Sequence, residues 1–595
     1  MRPAGRPGGL FAAFSEITVR AFRNDRLLSC PVLSKAPNYG RVLERYLGGH
    51  APEPRGTLPF LRAAARYAAA NVGHLLFLAA SAACIRLCGW KRPKVLESGE
   101  SLIVIDSFAL LPAIAAEENY TERYLPGLYE AARERGHGVV RLHRLYGGRS
   151  PGMLRRACAV LAGQGDGLLE AHLFTPGDWL RLLRHILVYP FALRGLVRSL
   201  RDTPAASPEA AIREALIACA GQCVLVGEAR RIAGYRLGRL LAARPGRVHI
   251  CSWHENQTVN KALQRGLAQA EAETGVHIRV IGAQLFLWPP ELLNNHPDEG
   301  EATLGIEPDK VLVNGPYFLP EPVDPRYAIG PSLRYAHLFR GRVRFAEAAG
   351  ENFVEANGIQ MCAPSAPART LPAPDPALEG LGRLNADGNE NCRMDASKVA
   401  APESRLSSLP EAESIAPVVS CRESTGPVET RASLPLLVLL SYHPEETRRV
   451  LELVRPLATA RNGRGAVYRF HPATRPRDYA SLLPENPVLA GGPFMEALDG
   501  AGAVIGSGSG ALAEAAALGV PVLAVGDEGE GAVLNYLPAY GRGVLWEAVA
   551  RPDEVEPALA SLERRAEQRG EQARRLRDML FTEPTRECID GAFEL

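Results

Sequence analysis

None of the 11 cysteines in this 595-residue sequence stands in a C-x-x-C pair, and their number is odd. Cys84/Cys88 and Cys219/Cys223 are each one helical turn apart in apolar surroundings, the setting of buried free thiols in a reducing compartment. Lysine is scarce, confined to Lys35, Lys91, Lys94, Lys261, Lys310 and Lys398, so nearly all positive charge is arginine. The 68 basic and 66 acidic residues leave a net charge of +2, and no overall field argues for nucleic acid as a partner. No G-x-x-x-x-G-K-[ST], H-E-x-x-H, G-x-S-x-G or zinc-ligand spacing occurs, which removes P-loop, metalloprotease and nucleophile-elbow chemistry. D-x-D is missing too, so the sequence predicts no metal-bridged pyrophosphate and no metal site. Near the N-terminus, Arg2 and Arg6 precede only the short run Leu10-Phe11-Ala12-Ala13-Phe14, too short for a signal-peptide core; a cytoplasmic location is expected.

Hydrophobic residues make up 46% and charged residues 23%, ordinary for a globular chain of several domains. Residues 1–95 read as a helical segment able to associate with a membrane. Within it Tyr67 to Ile85 carries no charge for 19 residues, flanked by Arg62, Arg66 and Arg86, yet Asn71 and His74 weaken insertion. A helix that is buried or lies at an interface is the expectation. Leu180 to Leu200 mixes arginine with Leu, Val and Phe, either to lie on an anionic surface or to pack with arginines outward.

From 96 to 345 short apolar runs alternate with helical stretches. Strands are expected at Ser101–Asp106, Gly138–His143, Gln222–Gly227, Arg247–Ser252, His277–Gly282 and Lys310–Asn314, with helices over Glu117–Arg135, 228–243 and 257–274. Residues 346–433 lose periodicity and fill with Pro, Ala, Ser, Glu and Gly, the composition of a disordered linker or insertion. The pattern resumes over 434–595 with strands at 434–443, 465–471, near Val488, 502–506 and 520–526, and a last helix from Pro552 to Met579. Two doubly wound α/β domains place ligand crevices at the carboxyl ends of their strands.

In the second domain a strand runs into Gly506-Ser507-Gly508-Ser509-Gly510 and a helix begins at once. Glycines let the backbone approach closely, and free N–H groups at a helix start attract phosphate. Ser507 and Ser509 add hydroxyls, Ser509 also being a good N-cap. Glu514, just over a turn inside, is placed either to bond a ribose hydroxyl or to face solvent. The stretch also fits G-x-G-x-x-[GA], with Asp527 21 residues beyond Gly506. That dinucleotide pattern should open its domain, whereas here several strands precede it, which demotes an NAD-dependent oxidoreductase. One strand earlier, Tyr468-Arg-Phe-His471-Pro472 puts an imidazole at a strand end, and Ser441-Tyr442-His443-Pro444 repeats the pattern. His471 and His443 are candidate phosphate donors.

These C-terminal motifs, "RFHP" followed by "VIGSGSGALAEAAALGVPVLAVG", resemble GT-B glycosyltransferases. Within that fold the His-Pro and Ser combination resembles bacterial sialyltransferases, polysialyltransferases and the glycerophosphotransferases of teichoic-acid synthesis. The resemblance implies a CMP- or CDP-linked donor whose phosphate is held by His471, Ser507 and Ser509, with Gly508 and Gly510 shaping the loop. Ser252-Trp-His254-Glu255-Asn256-Gln257 with Ile281-Gly-Ala-Gln284 is similar to the E-N-Q … G-x-Q-H pattern of bacterial surface-carbohydrate biosynthesis proteins, Leu285 standing where that pattern has His.

The expected architecture is therefore α/β, two Rossmann-like domains facing each other in a GT-B-like manner. The N-terminal one binds the acceptor and the C-terminal one a nucleotide-sugar, which serves as substrate with no separate cofactor. Glu255 is the first candidate for the base that takes the acceptor hydroxyl's proton, with His254 and Asp106 as alternates. The expected acceptor is a surface glycan or lipid-linked molecule at the cytoplasmic face of the inner membrane, with peripheral membrane contact. A nucleotide-sugar epimerase, which would release sugar without acceptor, and a non-catalytic carbohydrate-assembly protein, which would bind nucleotide weakly, are the alternatives.

Overall fold

A computed structural model describes residues 8–35, 57–99, 101–147, 150–205, 207–289, 292–340, 434–441, 443–459, 465–471, 474–526 and 536–595. The insertion expected at 346–433 lies outside them, as do Tyr442, Pro472 and Asp527. The first sheet has seven parallel strands, β1 (Leu102–Leu110), β2 (Gly138–Tyr146), β3 (Gly167–Leu169), β4 (Val248–Trp253), β5 (Arg279–Gln284), β6 (Lys310–Val313) and β7 (Tyr327–Ile329). Their order is β3-β2-β1-β4-β5-β6-β7. The second has six, β8 (Leu436–Leu440), β9 (Ala466–Phe470), β10 (Val488–Leu489), β11 (Ala503–Gly506), β12 (Val522–Val525) and β13 (Trp546–Val549), ordered β10-β9-β8-β11-β12-β13. All of these pairings are parallel.

Parallel strands need helical crossovers on both faces, so their side chains are apolar in unbroken runs. Leu102-Ile103-Val104-Ile105 in β1 and Val504-Ile505 in β11 accordingly have no more than traces of exposed surface. In each sheet the winding reverses once, between β1 and β4 and between β8 and β11. Crossovers leave opposite faces there and open a crevice beyond the strands' carboxyl ends.

Three expectations are corrected. The run at 222–227 is no strand: a helix, Leu225–Ala242, begins there. Its start is fixed by buried Asn71, whose Oδ1 accepts the N–H groups of Val224 and Leu225 at 3.0 Å each. The same side chain donates to the carbonyls of Tyr67 and Gln222. The helix expected over 117–135 is two short ones, Leu111–Glu117 and Leu128–Glu134. Glu122 organises the turn between them, its carboxylate accepting Tyr124 N–H, Leu125 N–H and the hydroxyls of Ser107 and Tyr120. The last expected helix splits into Pro552–Glu563 and Ala566–Leu580, and a further one, Arg586–Phe593, returns to the first domain. Phe593 is buried with Ile103, Ile105 and Ile281, and Glu594 pairs with Arg279 and Arg247. The stretch 434–595 thus supplies the second domain and the closing helix of the first.

Among the described residues of the N-terminal segment, two long helices stand out. Gly8–Phe22 buries Leu10, Phe14 and Ile17 against Leu193 and Leu196 of a 24-residue helix, Pro176–Ser199. Thr57–Leu87 is a 31-residue helix whose Tyr67 stacks on Tyr189 of Pro176–Ser199.

Replacing Asn71 by Ala leaves two buried N–H groups at a helix start unpaired. Expected is a loss of about 1–3 kcal/mol in urea-unfolding free energy; an unchanged midpoint would mean that the helix start is held by something else.

Candidate functional site

Three neighbouring strands of the second sheet end at one level. Register pairs Leu440 with Phe470 and Leu439 with Gly506, so the exits of β9, β8 and β11 lie side by side. His471 leaves β9, His443 follows β8, and Ser507 leaves β11. Backbone bonds tie them: His471 N–H donates to the Leu440 carbonyl at 3.1 Å. Ser441 shapes the turn that presents His443, its Oγ accepting His443 N–H at 3.2 Å and its carbonyl accepting the Thr447 and Thr474 hydroxyls. The His471 imidazole is held below its ordinary pKa by lost hydration and then by the nearby His443.

Two glycines of the loop are required by geometry. A Cβ at Gly506 would sit 2.6 Å from the Leu439 carbonyl oxygen of the adjacent strand. Gly508 has φ +56°, and a Cβ there would collide with the Glu446 carboxylate. Helix Gly510–Ala517 starts at once, capped by Ser509, whose Oγ accepts Ala511 N–H at 3.3 Å. Ser507 is buried beneath the loop. The strand ends thus bring His443, His471 and the Ser507–Gly510 loop to one end of the sheet at its winding reversal, forming a cradle where a helix start can hold an anion.

Glu514 neither faces solvent nor stands open toward the cradle. Its Oε2 meets His337 Nε2 of the first domain at 3.0 Å. Glu446 is the residue that sequence reasoning missed. It stands in the first turn of helix Pro444–Thr459, where an acid is favoured by the helix dipole, and its Oε2 has no hydrogen-bond partner among the described residues. The sequence signal was present in His443-Pro444-Glu445-Glu446: a strand-end turn that presents a His also presents the acid beyond it.

In the first domain the reversal between β1 and β4 gathers Asp106, His254 and Glu255. Asp106 is fully buried, with Arg230 and Arg144 on Oδ1 and the Ser252 hydroxyl on Oδ2. Arg230 also reaches Glu170. Both Asp106 oxygens are committed to this paired network. His254 is buried, and desolvation, with Lys261 and Arg144 nearby, pushes its imidazole down to about 3. Glu255 alone is half-buried. Trp253 Nε1 donates to its Oε1 at 2.9 Å and Gln257 Nε2 to its Oε2 at 2.6 Å, fixing the carboxylate. The following helix begins at Thr258 with Gln257 as cap, so Glu255 precedes the helix instead of serving its first turn. Leu285 is core, with no exposed surface.

A cavity of about 280 Å³ opens beside this centre. Phe108 and Arg144 line it from the sheet, Glu170 from the turn after β3, and Phe77, Leu78 and Ser81 from the Thr57–Leu87 helix. His143 also lines it; neither ring nitrogen has a hydrogen-bond partner among the described residues, and burial pushes it down to about 3. The loop after β5 crosses to the second domain, where Leu287 packs against Gly510 at the cradle's helix start. Among the described residues, no group of three or more His, Cys, Asp or Glu is placed to hold a metal ion.

Two doubly wound Rossmann-like domains sharing a core, with the closing helix returned to the first, make this a GT-B-like α/β fold. The chain matches no family model and no curated protein. Among solved structures it is similar to UDP-GlcNAc 2-epimerase of Neisseria meningitidis bound to UDP-GlcNAc, with 12% identity, 83% of this chain and 99% of that one covered, and a TM-score of 0.38. It is also similar to the glycosyltransferase SnogD of Streptomyces nogalater, with 13% identity, 84% and 100% covered and TM-score 0.35. A third is the wall teichoic acid polymerase TagF, with 8% identity, 91% and 97% covered and TM-score 0.31.

Two outcomes are expected. A carboxylate at Gly508 opposes any phosphate on the loop, so Glu446→Gln should tighten CMP or CDP binding by about fivefold, on the order of 1 kcal/mol. Calorimetric titration checks it, and equal or weaker binding would show that Glu446 does not face the phosphate. For His143 and His254 the folded pKa lies below the ordinary 6.5, so unfolding takes up protons. Stability should be level above about pH 6.5 and fall below it by ~1.4 kcal/mol per pH unit for each group. Urea melts from pH 7.5 to 5 measure this; a flat profile would mean that the imidazoles are solvated in the fold.

Proposed function

We propose that this protein is a glycosyltransferase that moves a sugar from a nucleotide-activated donor, CMP- or CDP-linked, to a surface-glycan or lipid-linked acceptor in bacterial surface polysaccharide synthesis. The observation that carries the reading is the level row of His443, His471 and Ser507-Gly508-Ser509-Gly510 at the second domain's winding reversal. It is joined through Leu287 to the loop beside the strand that presents Glu255.

In an inverting transfer the acceptor hydroxyl attacks the anomeric carbon while Glu255 takes its proton. The bond to the donor phosphate breaks with its electron pair going to that phosphate. The charge developing there falls on the helix N–H groups, the two imidazoles and the serine hydroxyls, a preorganised arrangement that costs no reorganisation at the moment of reaction. Arg144 and Glu170 give the cavity in the first domain a paired polar floor beneath an apolar wall, which suits a sugar carried on a lipid.

A thermal-shift screen against CMP, CDP, UDP, GDP, ADP and NAD tests the donor assignment through mass action. A selective rise with CMP or CDP is expected, and Ser509→Ala with His471→Ala should remove it while the variant still melts as a folded protein, the lost helix cap costing about 1 kcal/mol. Glu255→Gln should keep the nucleotide shift and lower transfer by about 10²–10⁴-fold. Unchanged nucleotide affinity in the double variant, or a rise with NAD alone, overturns the assignment. Free sugar released without acceptor moves it to an epimerase.

A further inference from the structure

The Pro176–Ser199 helix is apolar on two sides. Leu182, Tyr189, Leu193 and Leu196 are buried in the protein. Leu180, Leu183, Leu187 and Phe191 form a second stripe at helical spacing, Leu187 and Phe191 being 71% and 73% exposed. The antiparallel Thr57–Leu87 helix contacts it through Tyr67 and Tyr189 and leaves Val72 and Leu76 exposed in the same way. Every exposed charge on the two helices is an arginine: Arg62, Arg66, Arg86, Arg181, Arg184, Arg194 and Arg198. Their one acid, Asp178, is buried and paired with Arg236 and, at 3.6 Å, with Arg181.

We propose that this two-helix face docks the protein on an anionic lipid bilayer. Leucine and phenylalanine would enter the headgroup boundary while arginines reach the phosphates, the pattern of an interfacial helix. Charge singles out the occupant, since a face with seven cations and no exposed anion repels a second copy of itself. Within the Thr57–Leu87 helix, Arg62–Leu87 is long and apolar enough to cross a membrane, and only 22% of its most apolar window is buried. Its other side argues that it lies on the bilayer: Asn71 is spent on the Leu225–Ala242 helix, and the Tyr67 hydroxyl donates to the Ile186 carbonyl at 2.9 Å. Those bonds are to the protein and would be lost in a spanning helix.

Docking on this face places the membrane one helix thickness from the cavity, because Phe77, Leu78 and Ser81 of the same helix line its inner wall. An acceptor carried on a lipid could then reach Arg144 without leaving the bilayer. That last step rests on the transferase reading; the docking itself does not.

Flotation of the full chain with vesicles separates the two. Binding is expected to vesicles of phosphatidylglycerol and phosphatidylcholine, weak to phosphatidylcholine alone, and reversed by high salt. Leu187→Glu with Phe191→Glu, and separately Arg184→Glu with Arg194→Glu, should each weaken binding at least tenfold, with melting point and nucleotide-induced thermal shift unchanged. Equal flotation of variants and wild type overturns the proposal. So does retention through alkaline carbonate extraction, which would mean a spanning helix. A wild-type dimer that Leu187→Glu with Phe191→Glu converts to monomer, with no vesicle binding, would make the face an interface between copies.

Discussion

An apolar seam between the two domains holds both crevices in place. Leu287, Trp288 and Leu292, from the loop after β5, are buried with Leu512 and Ala513 of the cradle helix and with Leu576 and Leu580 of the penultimate helix. Each such side chain contributes roughly 1.5–3 kcal/mol by leaving water, so the seam is strong enough to fix one arrangement. It is also strapped. Ser332 N–H donates to the Thr582 carbonyl at 2.9 Å while Thr582 N–H donates to Ser332 Oγ at 3.0 Å. Gly315 lies so close to the helix end that a Cβ would stand 2.7 Å from the Leu580 carbonyl carbon. With the closing helix then pinned beneath the first sheet by Phe593, the chain cannot separate its domains without exposing both cores.

This dependence explains what could be read from the residues and what could not. β1, β8 and β11 were legible because a parallel strand buried on both faces must be apolar throughout, a demand met within five or six residues. The strand–glycine–helix cradle was legible for the same local reason. Gln222–Gly227 misled because its apolar run has the same composition as a strand, and the information that makes it a helix start sits at Asn71, some 150 residues earlier. The return of Arg586–Phe593 was hidden similarly: its partners Arg135, Arg279 and Ile103 are distant in sequence. Glu446 was within sight of the His-Pro motif, but its meeting with Gly508 depends on how β8 and β11 neighbour each other.

The two candidate centres differ in electrostatic design. In the first domain, charge is buried and closed on itself: Asp106 and Glu170 answer Arg144 and Arg230, and His143 and His254 are kept neutral by desolvation. Removing any one partner would strand the others, so this set is rigid by necessity. In the second domain His443 and Ser509 are only partly buried and His471 is exposed, so the strand-end groups stand nearer to solvent. Glu446 brings a carboxylate against Gly508 at that loop.

The Thr57–Leu87 helix joins these parts, and its composition shows why a single segment can do so. Asn71, Tyr67 and Ser81 face inward and spend their polar atoms on the protein, while Val72, Leu76 and the exposed alanines Ala68, Ala69, Ala79 and Ala83 face outward. Alanine keeps the helix thin and gives the outer side no polar group to hydrate, so the apolar face costs little in shape. A helix built only for a core would not leave Leu76 exposed, and one built only to span a bilayer would not carry Asn71. The combination is what a wall between a polar cavity and an apolar surface demands, and it makes access to the first domain's crevice a property of the same residues that define its boundary.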